Sequence, residues 1–324
     1  MIRRVSVKAL AKINLDLRVL HKRQDGFHEL RTVFQTISLA DSIEISYEPA
    51  GRTALEIEDE KAIPDNLVIR AARAALDAMK IRAQVRFRLK KKIPMGAGLG
   101  GGSSDAAAIL LALPVLAGKA IPARRLNGIA SVLGSDVPFF LSGGTALGVD
   151  RGTELYPLED LRQEPVLMVS PDVHVSTAAA YQTLGRNLTF TGTSDKINGF
   201  QVFVSALAGG RSAKAASRFS ENDFESAVFS QYPQLRTLFG KLRKVAGGAR
   251  MTGSGSAFFV LFDSKAERDL ARKSLDGDRV FRSCRVLPSN LVSRRAYQQT
   301  WRRQLSAHLV PGDLSWPPRS RYEQ

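Results

Sequence analysis

Apolar and polar positions alternate with a period of two in several stretches of the first third of the chain. That period turns one side of an extended strand toward a core. Ala83 to Leu89 is the clearest case, with Val85, Phe87 and Leu89 on one face and Gln84, Arg86 and Arg88 on the other. Arg4 to Val7 and Leu15 to Val19 read as short strands around a polar centre, Ala11-Lys12-Ile13-Asn14. Val33 to Leu39 and Ser42 to Tyr47 read as two more, with Asp41 in the break, and Leu55 to Ile57 as a weaker one. Gln24-Asp25-Gly26 signals a turn. The period changes to that of a helix over Asn66 to Lys80, where Leu67, Ala71, Ala74, Ala75 and Met79 recur on one side. An alanine-rich helix is predicted from about Ser104, ended or kinked by Pro114, and another over Arg124 to Leu133, closed by Gly134. Past Leu161 the pattern restarts. Val166 to Val169 and Ala257 to Phe262 read as strands, and Thr177 to Leu184 and Gln234 to Val245 as helices. Leu188 to Gly210 yields no assignment. The expected organisation is a first domain over 1–160, a second over 161–290, and a basic, proline-containing tail over 291–324, loosely packed from Leu309 onward.

Composition narrows the function classes. With 324 residues and 44% apolar positions, the chain can bury a large core. Its net charge of +16 favours polyanionic partners such as nucleic acid, an anionic membrane surface or phosphorylated small molecules. One cysteine, Cys284, excludes an internal disulfide framework and a multi-cysteine zinc site. No apolar run is long enough for a membrane span, and the N-terminus does not read as a signal peptide, so a cytoplasmic protein is expected.

The densest chemical signal is Lys91-Lys92-Ile93-Pro94-Met95-Gly96-Ala97-Gly98-Leu99-Gly100-Gly101-Gly102-Ser103-Ser104-Asp105. Glycines crowd a backbone where it must approach a ligand or adopt positive φ. Ser103 or Ser104 is expected to cap the following helix, whose free N–H groups would form an anion site. The segment reads as a phosphate cradle. Neither Gly118-Lys119 nor Gly240-Lys241 is followed by Ser or Thr, so the P-loop pattern is absent. Gly96, Gly98 and Gly101 satisfy a dinucleotide fingerprint, but no acid occurs between Ala106 and Ser135 to hold a ribose. Asp136, in Gly-Ser-Asp-Val-Pro-Phe-Phe, is an acid in apolar surroundings, and Lys12 is an amine in a strand-like apolar stretch. Each alone reads as a surface charge or simple ion pair. Beside a phosphate cradle, the two suit transfer of a phosphoryl group to an alcohol, the carboxylate orienting the hydroxyl and the lysine keeping it ionised.

PMGAGLGGGSSDAAA resembles the second motif of the GHMP kinases, AKINL the first and RMTGSGSAFF the third. QDGFHELRTVFQTI, PDNLVIRAA, LGSDVPFFL, GGTALGVDRG, VSTAAAY and ENDFE are similar to the members of that family that act on a cytidyl diphosphate sugar alcohol. The resemblance covers about residues 8–262. It implies an α+β, two-domain GHMP kinase fold with the active site in the inter-domain cleft. It implies ATP and Mg²⁺, and transfer to the 2-hydroxyl of 4-diphosphocytidyl-2-C-methyl-D-erythritol, an isoprenoid precursor. Position by position, it makes Asp136 the base and Lys12 its partner. Asn14, Phe27, His28 and Thr177 become substrate contacts, with Phe27 stacking where the family usually has tyrosine. Asn66 and Lys91 become adenine-side positions, and Pro94, Met95, Gly96, Ala97, Gly98, Leu99, Gly100, Gly101, Gly102, Ser103 and Ser104 the ATP loop. The metal ligands are unassigned, Ser103 and Ser104 being the candidates. The expected partner is a small molecule, with no membrane and no obligatory nucleic acid, in a monomer or homodimer. Two alternatives stand beside this. One is a GHMP kinase for mevalonate, homoserine or a sugar; the other is an RNA-binding protein, suited by Arg86-Phe87-Arg88, the lysine run and the Arg/Trp/Tyr tail.

Overall fold

The computed structural model describes residues 1–187, 193–210 and 212–323. Two long antiparallel strands, β1 (Arg3–Lys22) and β2 (His28–Pro49), pair along almost their whole length around the predicted turn. Their register shifts between Leu10 and Lys12, between Asn14 and Asp16, and between Val19 and His21. Irregularities of this kind re-aim side chains without ending a strand. Lys12 and Asn14 therefore lie inside β1, each 3% exposed, and the polar centre is not the interruption the pattern predicts. Asp41 is likewise inside β2 and fully buried rather than in a break, because its carboxylate accepts from the Lys92 and Ile93 amides.

β3 (Ala54–Asp59), β4 (Ala83–Lys90), β5 (Thr145–Val149) and β6 (Glu154–Pro157) complete a six-stranded sheet in which β4 and β5 flank β2. Helices α1 (Leu67–Met79), α2 (Gly101–Ala117), α3 (Ala123–Leu133) and α4 (Val137–Ser142) pack on it. Their apolar stripes meet Val85, Phe87 and Leu89, so the alternation read from β4 is the core face. Asn66 caps α1 by accepting from the Val68 amide at 3.0 Å. α2 begins earlier than predicted. Gly100, at φ 68°, is its N-cap, and no side chain caps it, which corrects the expectation for Ser103 and Ser104. The Ser104 hydroxyl donates instead to the Leu10 carbonyl at 2.6 Å. Pro114 lies in the last turn without ending the helix, since a proline there forfeits one i→i−4 bond and Gly118, at φ 73°, closes the terminus.

The second half holds β7 (Pro165–Pro171), α5 (Thr177–Asn187), α6 (Thr193–Ala208), α7 (Ala213–Ala216), α8 (Phe224–Gln231), α9 (Pro233–Ala246), β8 (Arg250–Met251), β9 (Phe258–Leu261), α10 (Lys265–Gly277) and β10 (Cys284–Asn290). Its four strands run in the order β10-β7-β9-β8. β1 serves both halves. Val7, Ala9 and Leu10 belong to the core under α1 and α2. Ala11, Ile13 and Leu15 pack with Val166, Met168 and Phe259, and Leu17 and Val19 with Leu167, Val169 and Phe258.

The stretch expected to be loose is pinned by Trp316, which donates to the Leu141 carbonyl at 2.8 Å, and by Ser320, which donates to the Val115 carbonyl at 2.6 Å, and a helix precedes it. α11 (Arg294–Leu305) places Tyr297, Trp301 and Leu305, spaced by four, at 1%, 1% and 0% exposure in the first-half core. Asp160 accepts from the Arg294 amide at 2.6 Å and the Arg295 amide at 3.2 Å, meeting the free donors at the start of this helix. The arginine-rich composition hides one apolar stripe, and burial of that stripe decides the packing.

Candidate active site

A cavity of about 980 Å³ opens between the two halves. β1 supplies Lys12 and Asn14, the loop before α2 supplies Gly98 and Gly100, and α2 itself Ser103. Asp136 stands at the entrance to α4, Thr177 and Tyr181 come from α5, and Gly253 and Ser254 from the loop after β8.

The floor of the cavity is a chain of polar contacts. The Lys12 ammonium lies 3.4 Å from the Asp136 carboxylate and donates to Asn14 Oδ1 at 2.7 Å. Asn14 Nδ2 donates to Thr32 Oγ1 at 2.8 Å, and Thr32 donates on to the Asp16 carbonyl at 2.7 Å. A buried ammonium without partners would be costly. Here two oxygens and the Phe34 ring, its centroid 5.4 Å away, hold it beneath the cavity. The Lys12 side chain is 4% exposed and that of Asp136 32%. The carboxylate can thus meet a ligand while the amine cannot leave it.

Two glycine loops interlock above this floor. A Cβ on Gly98 would lie 2.2 Å from the Thr252 carbonyl oxygen, and one on Gly253 would lie 3.1 Å from that of Gly98. Gly98 and Gly100 have φ of 77° and 68°, which L side chains rarely adopt. The Asn14 amide donates to Thr252 Oγ1 at 3.0 Å, and Thr177 Oγ1 is 2.8 Å from Ser254 Oγ. Asn222 donates to the carbonyls of Met251 and Gly253 at 2.8 and 2.9 Å. The loop before α2 lines the cavity at Gly98 and Gly100 and leads into the free amides and dipole of a 17-residue helix. These features fit a polyphosphate. Among the described residues no cluster of three or more His, Cys, Asp or Glu could hold a metal.

At the other end of the cavity the His28 ring stacks on Tyr181, centroids 4.9 Å apart and planes at 21°. Burial, helped by the charge of Lys22, lowers the pKa of His28, so the imidazole is neutral near pH 7. Its Nε2 is buried and has no partner. Burial and the Asp136 charge push the Tyr181 phenol up to about 12, so it stays a donor. Phe27 is 51% exposed, with the Arg151 guanidinium 4.6 Å over its ring. This is a shelf for a planar ring with a hydrogen-bonding edge.

Sequence reasoning placed Lys12, Asn14, Phe27, His28, Gly98, Gly100, Ser103, Asp136 and Thr177, and the fold brings all of them to the cavity wall. Other expected residues lie elsewhere. Asn66 is the α1 cap, and its Nδ2 donates to Asp59 at 3.1 Å. The Lys91 side chain is 5% exposed and pinned between the carboxylates of Asp41 and Asp105, at 2.5 and 2.7 Å. Pro94, Ala97 and Leu99 are buried under the loop, whereas Met95 points outward. Gly96 backs onto the second half, since a Cβ there would lie 2.5 Å from His174 Nδ1. Sequence reasoning missed Lys22, Arg151, Tyr181 and Asn222. Tyr181 is four residues past Thr177, one turn along the same helix face, and that spacing could have found it.

The chain is similar to several known proteins. The profile described as the GHMP kinases N terminal domain matches residues 66–144, and that described as GHMP kinases C terminal matches residues 204–278. A 4-diphosphocytidyl-2-C-methyl-D-erythritol kinase of Solibacter usitatus is 50% identical over 99% of this chain and 98% of its own. The chain belongs to the GHMP kinases. Another relative of the same name, from Acaryochloris marina, is 37% identical over 83% of this chain and 91% of its own. A crystal structure of 4-(cytidine 5'-diphospho)-2C-methyl-D-erythritol kinase matches at TM-score 0.70 and 34% identity, over 90% of this chain and 99% of that one. Homoserine kinase from Cytophaga hutchinsonii, at 18% identity and TM-score 0.68, shares the fold. As a GHMP kinase the chain is an ATP-dependent phosphotransferase acting on a small molecule. Among the described residues no helix is long and apolar enough to cross a membrane.

Proposed function

We propose that this GHMP kinase transfers the γ-phosphoryl group of ATP to the 2-hydroxyl of 4-diphosphocytidyl-2-C-methyl-D-erythritol. The observation that carries the substrate is the single cavity joining the Lys12–Asp136 pair to the His28–Tyr181 shelf. A neutral imidazole stacked on a tyrosine, beside an exposed phenylalanine ring, suits a pyrimidine and has no use for mevalonate or homoserine.

In this reading Asp136 orients the attacking hydroxyl and accepts its proton, while Lys12 pairs with the carboxylate and faces the charge that builds during transfer. Asn14 fixes Lys12 and turns the sugar-alcohol end of the substrate toward Asp136, and Thr177 lies on the opposite wall. The amides from Gly98 to Ser103 hold the phosphates of ATP. A phosphoryl group in a loose transition state needs positioning and charge neutralisation more than covalent help. Mg²⁺ would be held with the help of Ser103, whose side chain faces the cavity, rather than Ser104, whose hydroxyl is committed to Leu10. When bound, the cation would neutralise charge on the phosphate oxygens. The two halves would act as domains over 1–160 and 161–290 in the cytoplasm, as a monomer or homodimer with no obligatory nucleic acid.

The test is phosphorylation of the cytidyl compound and of the same alcohol lacking its cytidine group, followed by ADP release. A strong preference for the cytidyl compound is expected. Equal rates would remove the assignment.

A further inference from the structure

Several contacts of the segment after β10 fall on main-chain oxygens at the ends of two helices, and their positions are informative. Tyr297, fully buried, donates its hydroxyl to the Phe140 carbonyl at 2.5 Å. Trp316 donates its indole N–H to the Leu141 carbonyl at 2.8 Å. Both acceptors are in the last turn of α4, whose carbonyls have no partner within the helix. Ser320 donates to the Val115 carbonyl at 2.6 Å, and Arg3, its guanidinium 3.8 Å over the Tyr322 ring, donates to the Leu116 carbonyl. Those two acceptors are in the last turn of α2. The opposite ends of these helices carry the chemistry. α2 begins at the phosphate loop, and α4 follows Asp136 directly. At 1.5 Å per residue, the four residues from Asp136 to Phe140 put the Asp136 backbone only about 6 Å along the axis from the Tyr297 contact. The fit there is close: a Cβ on Gly143 would lie 2.5 Å from the Tyr297 ring, and one on Gly144 would lie 2.6 Å from Arg294 Cβ.

We propose that the segment from Leu291 to Tyr322 is a positioning strap for catalysis. By capping the far ends of α2 and α4 it sets the phosphate loop and Asp136 relative to one another, and Tyr297, Trp316 and Ser320 are positioning residues acting through those helices. The strap also holds the start of β1, the strand that bears Lys12. His308 Nε2 is 2.9 Å from the Arg4 carbonyl, and the Lys8 amide donates to Gln304 Oε1 at 2.7 Å. Phosphate loop, base and lysine are therefore anchored to one external element. The effect on turnover rests on the proposed reaction; the effect on helix order does not.

Tyr297→Phe and Ser320→Ala each remove one cap with little loss of volume, and Trp316→Phe removes one together with part of a ring. Turnover is read well below each variant's melting temperature, per folded molecule. Tyr297→Phe and Trp316→Phe are expected to lower kcat about three- to tenfold at unchanged KM, the factor one ordinary hydrogen bond corresponds to. Ser320→Ala is expected to raise KM for ATP by a similar factor at near-normal kcat. Leu275→Ala, deep in the second-half core, is the control and should lower the melting temperature while leaving kcat and both KM values alone. Amide hydrogen exchange gives the readout that needs no substrate. It should quicken over 141–143 in Tyr297→Phe and over 104–108 in Ser320→Ala, where the amides are bonded within their helices. A wild-type chain inert toward the cytidyl compound would end the proposed reaction and leave the exchange result standing. Unchanged exchange of the bonded amides in both helices, or kinetic losses in Leu275→Ala equal to those of the strap variants, would overturn the strap.

Discussion

Asp136 and Lys91 are both charged groups held in ion pairs, yet they call for opposite experiments. Asp136 faces the cavity, so Asp136→Asn should lower kcat about 10²- to 10⁴-fold with little change in substrate KM, as steady-state kinetics would show. Lys91 balances two buried carboxylates, so Lys91→Met should cost about 3–5 kcal/mol in denaturant unfolding by leaving both uncompensated. Asp16 adds a pH dependence. Burial pushes its carboxyl from 3.8 up to about 6, against the opposing pull of Arg18. The folded chain then binds that proton more tightly than the unfolded chain does. This contribution to stability is fully present below about pH 4 and is lost as pH rises through about 6. Melting temperatures of wild type and Asp16→Asn between pH 4 and 7 should differ in slope, the variant lacking the fall. The sequence made Asp136 and Lys12 legible because each is a lone charge among apolar neighbours. Lys91 was not legible, because a run of three lysines looks solvated and its partners lie 50 and 14 residues away.

At the scale of elements, alternation was readable wherever one face was apolar and the other charged, as in β4. It failed where a polar residue was buried with a partner. Asp41 looked like a gap in β2, and Lys12 and Asn14 like a gap in β1, because a strand whose buried carboxylate or ammonium is satisfied elsewhere in the chain carries no local mark of it. α11 was hidden by its arginines, although Tyr297, Trp301 and Leu305 keep helical spacing. The glycine-rich loop was visible, but its partner was not. The carbonyl of Thr252, 154 residues further on, fills the space a Gly98 side chain would need. Gly98→Ala is accordingly expected to raise KM for ATP at least tenfold by forcing the two loops apart, measurable by ATP titration at saturating alcohol.

On the scale of the whole molecule, the ligand shelf is assembled from both halves, His28 from the start of β2 and Tyr181 from α5. Tyr181→Ala should weaken binding of the cytidyl compound by about 1–3 kcal/mol, the usual worth of one base–aromatic stack, and calorimetry without ATP would measure it. The shared strand has a further consequence. Leu17 and Val19 are rooted in the second-half core, and Tyr297 and Trp301 in the first. Severing the chain near residue 160 would leave each fragment holding a piece of the other's interior. Neither piece should be soluble by itself, and co-expression of the two should restore activity by complementation, so the enzyme folds as two mutually dependent parts rather than as a pair of beads on a string.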